Sequence, residues 1–247
     1  MPCAQRDLAY NRSVLILAAD TSSASGSLAV LRDEELIAGR SETSAEGYSS
    51  RMFRHLETLL RETSLTLDQF DLFAVVTGPG SFTGLRVGLT AAKAWAEVFK
   101  KPIAAISGLE AVAAQGRSAA SVLVPVLDAR RAQVYFGFYR GTLCGRVLDS
   151  EERVANPEEF LEALTALAKD CSFCIVTPEP NVVSGMLSHF ERGLADLELV
   201  SPFLAPAAGR LGFRRAQRGQ VTDALSLDAN YVRRSDAEEQ AKGSGVS

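Results

Sequence analysis

Apolar positions along this chain follow two alternating periods. Val14-Leu15-Ile16-Leu17-Ala18-Ala19 is a continuous apolar run, as in a strand buried on both faces, and it stops at the polar turn Asp20-Thr21-Ser22-Ser23. Gly26–Leu31 and Glu35–Ala38 read as second and third strands, so the chain opens as an antiparallel meander. From Ser49 to Thr63 the spacing changes, and Met52, Phe53, Leu56, Leu59 and Leu60 form the stripe of an amphipathic helix. Thr66-Leu67-Asp68-Gln69 has the form of a capping box opening a short helical turn. A strand at Leu72–Thr77, a helix from about Thr83 to Phe99 ended by Lys101-Pro102, a strand at Pro102–Ile106 and a helix at Leu109–Gln115 follow.

The opening pattern then recurs. Val122–Asp128 matches Val14–Asp20: an apolar strand ending in aspartate, then the turn Ala129-Arg130-Arg131-Ala132, then a returning strand at Val134–Tyr139. The offset of 108 residues is too long for a solenoid repeat and fits two homologous halves. Asn156-Pro157-Glu158-Glu159 supplies a cap, a first-position proline and first-turn acids for a helix running to about Lys169. Cys171–Thr177 reads as a strand, Ala205–Arg218 as a helix and Asn230–Arg234 as a short extended piece. These divisions predict a polar tail over 1–13, a first unit over 14–106, a smaller second unit over 107–234 whose last segment packs back on the first, and a flexible tail over 235–247.

Between the strand at Leu72–Thr77 and the next helix lies Gly78-Pro79-Gly80-Ser81-Phe82-Thr83-Gly84. A glycine-rich turn there frees backbone N–H groups at a helix N-terminus, a geometry for an anion or for a closely packed neighbouring backbone. The spacing is neither of the common nucleotide fingerprints: no register gives the phosphate loop with its Lys-Ser/Thr, and the last gap, Gly80 to Gly84, is one residue too long for the dinucleotide pattern. Gly84, Gly88, Ala92 and Ala96 form a small-residue stripe on the same helix, a surface on which another helix can come close.

Composition narrows the function. The 247 residues are 47% hydrophobic and 23% charged, as in a globular protein, and the net charge of −4 gives no overall attraction to nucleic acid or anionic membrane. Any RNA contact has to come from a local patch, for which Arg210, Arg214, Arg215 and Arg218 with Arg130, Arg131, Arg233 and Arg234 are the candidates; a solvated helix face is the plainer reading. Nothing approaches the length of a membrane-spanning helix, and Met1–Ser13 lacks the apolar core of a signal peptide, so a cytoplasmic location is expected. Of Cys3, Cys144, Cys171 and Cys174, the last two make a single C-x-x-C with no second pair, read as buried thiols rather than a zinc site. His55 and His189 are far apart, and His55 reads as a packed or solvated side chain.

Two halves that each open strand, aspartate, turn, strand resemble the actin-like ATPase superfamily, so the expected fold is α/β, with two ribonuclease-H-like subdomains that each carry a mixed sheet and flanking helices. Residues 17–31 (LAADTSSASGSLAVL), 76–96 (VTGPGSFTGLRVGLTAAKAWA), 102–113 (PIAAISGLEAVA), 125–139 (PVLDARRAQVYFGFY) and 229–238 (ANYVRRSDAE) resemble, more sharply, the TsaB (YeaZ) family, with a weak match between 141 and 225. The resemblance implies a non-catalytic subunit of the system that makes N6-threonylcarbamoyladenosine at position 37 of ANN-decoding tRNAs. It implies a TsaD-like catalytic partner, a TsaE-like ATPase recruited to the pair, pairing of two copies in isolation, and tRNA contact through the complex. It implies no cofactor and no metal: the relative's H-x-x-x-H ligand positions fall on Gly108 and Val112, which have no donor atoms.

The resemblance also places the partner face on the Ser49–Thr63 and Thr83–Phe99 helices, with Phe53, Leu56, Leu60, Gly84, Leu85, Gly88 and Leu89 as contacts and Gly78, Pro79, Gly80, Ser81 and Thr83 as a structural loop. On this basis a bulky residue at Gly88 is expected to weaken partner binding and leave the monomer folded. Two enzymatic rivals remain, an actin-like-fold ATPase or small-molecule kinase and an M22-type metalloprotease. For the first, Asp20, Thr21 and Ser22 are the phosphate-loop candidates, although Asp20 and Asp128 can instead bond their own turns. Ala129-Arg130-Arg131 and Thr177-Pro178-Glu179-Pro180 stand where a nucleotide site needs glycine-rich turns.

Overall fold

The computed structural model describes residues 13–43, 51–142, 145–149, 151–191, 193–230 and 232. Most of the N-terminal tail, Cys3, the start of the expected helix at 49–50, Cys144, Tyr231, Arg233, Arg234 and the tail from 235 lie outside these residues.

Strands β1 (Leu15–Asp20), β2 (Ser25–Arg32), β3 (Glu35–Thr43), β4 (Leu72–Gly78) and β5 (Ile103–Ser107) form one sheet in the order β3-β2-β1-β4-β5. The first three are antiparallel, while β4 and β5 run parallel to β1, each reached by a crossover. Helix α1 (Met52–Thr63) makes the first crossover and α2 (Phe82–Phe99) the second. The capping box at Thr66–Gln69 forms, opening a turn of 3₁₀ helix at Leu67–Gln69.

The second sheet repeats the plan. Strands β6 (Val122–Arg130), β7 (Gln133–Phe136), β8 (Tyr139–Thr142), β9 (Gly145–Leu148), β10 (Arg153–Ala155), β11 (Phe173–Thr177) and β12 (Ala195–Leu199) give the order β10-β7-β6-β11-β12, with β8 joining β6 to β9. Helix α3 (Gly108–Ala113) precedes this sheet, α4 (Pro157–Ala168) leads into β11, and α5 (Ala205–Gln217) follows it. The same five-strand order occurring twice is the ribonuclease-H-like sheet duplicated, the actin-like ATPase fold.

Two expected elements differ. The strand expected over Val134–Tyr139 breaks after Phe136, so that β7 pairs with the end of β6 and β8 with its start. Phe138 leaves the ladder because its carbonyl accepts the N–H of Asp149 at 2.7 Å. The strand expected from Cys171 begins at Phe173, because the Cys171 N–H bonds Leu167 O at 3.2 Å and finishes α4. Cys174 is buried and Cys171 half-buried, and the two do not share a strand.

Alternation along the strands divides the core. One face of the first sheet carries Leu17, Ala19, Leu28, Val30, Phe73 and Val75, and these pack with Met52, Leu56 and Leu59 of α1 and Leu85, Leu89, Ala92, Trp95 and Ala96 of α2. The opposite face, with Ile16, Ala18, Ala29, Leu31, Leu72, Ala74 and Val76, shares a cluster with α3, α5 and residues of the second sheet such as Leu123, Tyr139 and Val176. Helix α5 thus returns to the first sheet, and beyond it Thr222 pairs with Ile103 at the β5 edge and Leu227 is buried with the α1–α2 cluster. The outer face of the second sheet packs on α4 through Phe160, Leu164, Phe136 and Phe173. No helix among the described residues is long and apolar enough to cross a membrane.

Candidate functional site: the aspartate turn and the glycine loop

The end of β1 and the start of α2 meet. Ser81 caps α2, its side chain accepting the Gly84 N–H at 3.3 Å. Its own N–H is given to Ser22 O at 2.6 Å, and Thr21 Oγ1 donates to Gly84 O at 2.7 Å. A Cβ at Gly80 would lie 2.8 Å from the Ser22 Cβ, one at Gly84 would strike Thr21 O, and one at Gly88 would strike Thr21 Oγ1. The glycines are therefore there for the close approach of a neighbouring backbone, the chain's own Thr21-Ser22 turn, rather than for an anion. The Gly78–Pro79 peptide that opens the loop is cis.

This geometry corrects the partner stripe read from the sequence. Gly84 and Gly88 are covered by Thr21 of the same chain, and Leu56, Leu85 and Leu89 are buried in the α1–α2 cluster, with Leu60 packed partly against it. A helix laid on a sheet turns its apolar stripe inward, so the stripe marks the inner face. Of the seven expected contacts only Phe53, 56% exposed, faces outward, and Thr83 and Ser81 of the loop are exposed. The outward surface of these helices carries Phe53 on α1 and Phe82, Arg86 and Val98 on α2, with the Arg86 guanidinium 3.8 Å from the Phe82 ring centroid. Phe82 falls just before the helix expected from Thr83 and Val98 falls inside it but off the small-residue stripe, and nothing in their spacing singles them out.

Asp20 is completely buried. One carboxylate oxygen accepts the Ser22 N–H at 2.8 Å, an Asx turn, and the other has no hydrogen-bond partner among the described residues. Burial raises its pKa from 3.8 to about 6, against the opposing pull of Ser22 and the Leu204 N–H at the head of α5. Asp128 repeats the Asx turn, its Oδ1 accepting the Arg130 N–H at 2.7 Å, while its own N–H is donated to Glu179 Oε2 at 2.9 Å.

A magnesium nucleotide, which actin-like folds hold between their halves, does not fit this arrangement. The donors and small residues that would receive phosphate on the first turn are engaged by the glycine loop, and on the second turn a carboxylate takes the backbone N–H and opposes negative charge. Glu179 was within reach of sequence reading, because it sits in the Thr177–Pro180 stretch where a glycine-rich turn belongs. Metal chemistry has no better footing at the α3 positions. Gly108 lies against Leu127 and Val76 side chains, Val112 is fully buried, and no described cluster of three His, Cys, Asp or Glu residues is arranged to hold an ion.

The other candidates are tied up internally. Arg214 forms a two-pronged pair with Glu34 at 2.9 Å on both oxygens, which holds the Glu34 carboxyl below its usual range, and Arg210 donates to Glu34 O at 3.1 Å. Arg215 pairs with Glu110 at 2.5 Å and also reaches Ala105 O, leaving Arg218 as the exposed member of that row. Arg130 pairs with Asp128 at 3.1 Å, and His55 Nε2 lies 3.1 Å from Glu42 Oε2.

Comparison with known proteins matches this architecture. Residues 41–197 fit the family described as TsaD, tRNA N6-adenosine threonylcarbamoyltransferase. The tRNA threonylcarbamoyladenosine biosynthesis protein TsaB of Bacillus subtilis (strain 168) is 38% identical over 125 residues, 51% of this chain and 55% of the relative. The TsaB protein of Escherichia coli (strain K12) is 29% identical over 156 residues, 62% of this chain and 67% of the relative. The alignment thus spans little more than half the length of the Bacillus protein. A Pseudomonas aeruginosa protein described as similar to peptidase YeaZ superposes with a TM-score of 0.74 at 26% identity, covering 89% of this chain and all of that one. With more than half of its length, residues 41–197, inside that family's pattern, this chain belongs to the TsaD threonylcarbamoyltransferase family, and among its members it is similar to the proteins named TsaB (YeaZ).

Proposed function

We propose that this protein is a non-catalytic subunit in the N6-threonylcarbamoylation of adenosine 37 in ANN-decoding tRNAs. It binds a TsaD-like catalytic subunit, selects that subunit's productive conformation, and offers a docking surface for a TsaE-like ATPase. The observation that carries this reading is the pair Gly108 and Val112, one without a side chain and the other fully buried, at the two positions onto which the family resemblance places the catalytic relative's ion ligands. The name of the Bacillus relative supports the pathway.

The partner face is the outward side of α1 and α2, anchored by Phe53, Phe82 and Val98, which are 56%, 40% and 70% exposed. A heterodimer of ordinary size buries about 1,600 Å² in total, with most of its strength in a few such apolar anchors. The same face pairs two copies when the chain is alone. Contact with tRNA comes through the complex, because the α5 arginines are largely neutralised within this chain. The protein works in the cytoplasm.

The test is reconstitution. Purified TsaD-like and TsaE-like subunits, the enzyme that forms threonylcarbamoyl-AMP, ATP and unmodified tRNA are assayed with and without this chain. Modification that requires the chain, with no ATP turnover by the chain alone, is the expected result. Full modification without it overturns the reading.

A further inference from the structure

Glu152 lies in the link between β9 and β10, outside the site described above, and its carboxylate gathers three distant parts of the chain. Oε1 accepts the Tyr139 hydroxyl of β8 at 2.7 Å and the hydroxyl of Ser107 at the end of β5, while Oε2 accepts Asn230 Nδ2 at 2.6 Å. The direction of the Ser107 bond is fixed by its surroundings. Its oxygen already accepts the N–H groups of Leu109 at 3.1 Å and Glu110 at 3.4 Å, so its hydrogen is left for the carboxylate. Tyr139 is 2% exposed, and burial with the nearby Glu152 charge raises its pKa, keeping the hydroxyl a donor.

Asn230 carries the link onward. Its N–H bonds Thr77 O at 2.8 Å, and its carbonyl lies 2.5 Å from where a Cβ on Gly78 would sit, so it covers the start of the glycine loop. Thr77 in turn donates its hydroxyl to Ile106 O at 3.2 Å, next to Ser107. One carboxylate from the second sheet's side therefore reaches the β5 edge directly and the glycine loop through Asn230.

We propose that Glu152 is an interlobe clasp, a positioning residue that holds the end of β5, strand β8 and the C-terminal segment at Asn230 together, so that the glycine loop leading into α2 moves as one body with the second half. The clasp is a property of the lone chain and is independent of any partner.

Hydrogen exchange read by mass spectrometry on the full chain tests it, with Glu152→Ala, Asn230→Asp and the double variant Glu152→Gln/Asn230→Asp. Asn230→Asp sets carboxylate against carboxylate. The double variant restores one donor and one acceptor, with the glutamine amide facing the new carboxylate. The expected result for Glu152→Ala is exchange about tenfold faster in peptides covering 103–110 and 222–230, the scale of one lost hydrogen bond to a charged group, with peptides in β1 and α4 unchanged. Asn230→Asp gives the same rise over 222–230, and the double variant brings it back to within about twofold of the parent. Uniform acceleration in every peptide, no acceleration, or a double variant as fast as the sum of its parts overturns the proposal.

Discussion

Replacing Asp20 by asparagine removes a buried charge while preserving shape, and the consequence depends on pH. The folded carboxyl has its pKa raised from 3.8 to about 6, chiefly by burial, and one of its oxygens has no partner among the described residues. A raised acid holds its proton more tightly in the folded state than in the unfolded state. As pH climbs from about 4 to about 6 the unfolded chain releases that proton first, so ionisation works against folding, and above about 6 the cost is complete. At about 1.4 kcal/mol per pH unit, the interval from 3.8 to about 6 corresponds to about 3 kcal/mol. Asparagine stays neutral, keeps the oxygen that accepts the Ser22 N–H, and places an unmet amide where the orphan oxygen was, an offset of about 1–3 kcal/mol that does not vary with pH. The decisive quantity is therefore the slope rather than the level. Urea unfolding of parent and Asp20→Asn between pH 4 and pH 7.5 is expected to show the variant gaining on the parent by about 2 kcal/mol across that interval, less than the whole because the unfolded carboxyl is already partly ionised at pH 4, with most of it by pH 6. Other carboxyls titrate in both proteins and cancel. A parent-minus-variant difference that stays flat with pH refutes the reasoning, because it means that no ionisation is being penalised at this position.

Substituting Gly88 by alanine puts a methyl group into Thr21 Oγ1 and is expected to destabilise the monomer by about 1–3 kcal/mol, with Thr21→Ala recovering part of the loss in the double variant; strictly additive urea midpoints argue against that contact. This reverses the expectation from the stripe alone, under which the monomer tolerates a bulky residue there. Phe53→Asp combined with Val98→Asp changes two exposed side chains and is expected to leave folding within about 0.5 kcal/mol. The same pair is expected to weaken binding to a TsaD-like subunit about thirtyfold or more in titration calorimetry, and an unchanged Kd removes this face from the interface. Glu34→Ala releases Arg214 and removes the carboxylate beside Arg210, whose bond to the residue 34 carbonyl stays, so the lone chain is expected to gain about two-fold or more in tRNA affinity at low salt and to lose that gain as salt rises; no gain in filter binding shows that this carboxylate does not mask the charge.

Local pattern was enough for most of the architecture. A continuous apolar run such as Val14–Ala19 reads as a central strand, because six residues are short for a helix and a strand in a sheet covered on both sides buries both of its faces, and the structure places it in the middle of its sheet. Asn156-Pro157 with Glu159 specifies a helix start through contacts only three residues apart, and both halves of that capping box form. Repetition of strand, aspartate, turn, strand carried the duplicated fold. Contacts between residues far apart in the chain left no such trace. That Gly84 and Gly88 face Thr21 depends on how β1 and α2 stack, 63 residues apart for the Thr21–Gly84 bond, and the same small-residue spacing serves an internal or an external neighbour equally well. The meeting of Glu152 with Ser107 and Asn230 likewise needed the packed halves, and that of Asp128 with Glu179 needed β6 beside β11: a glutamate in a loop looks like any solvated charge until packing sets oriented donors around it.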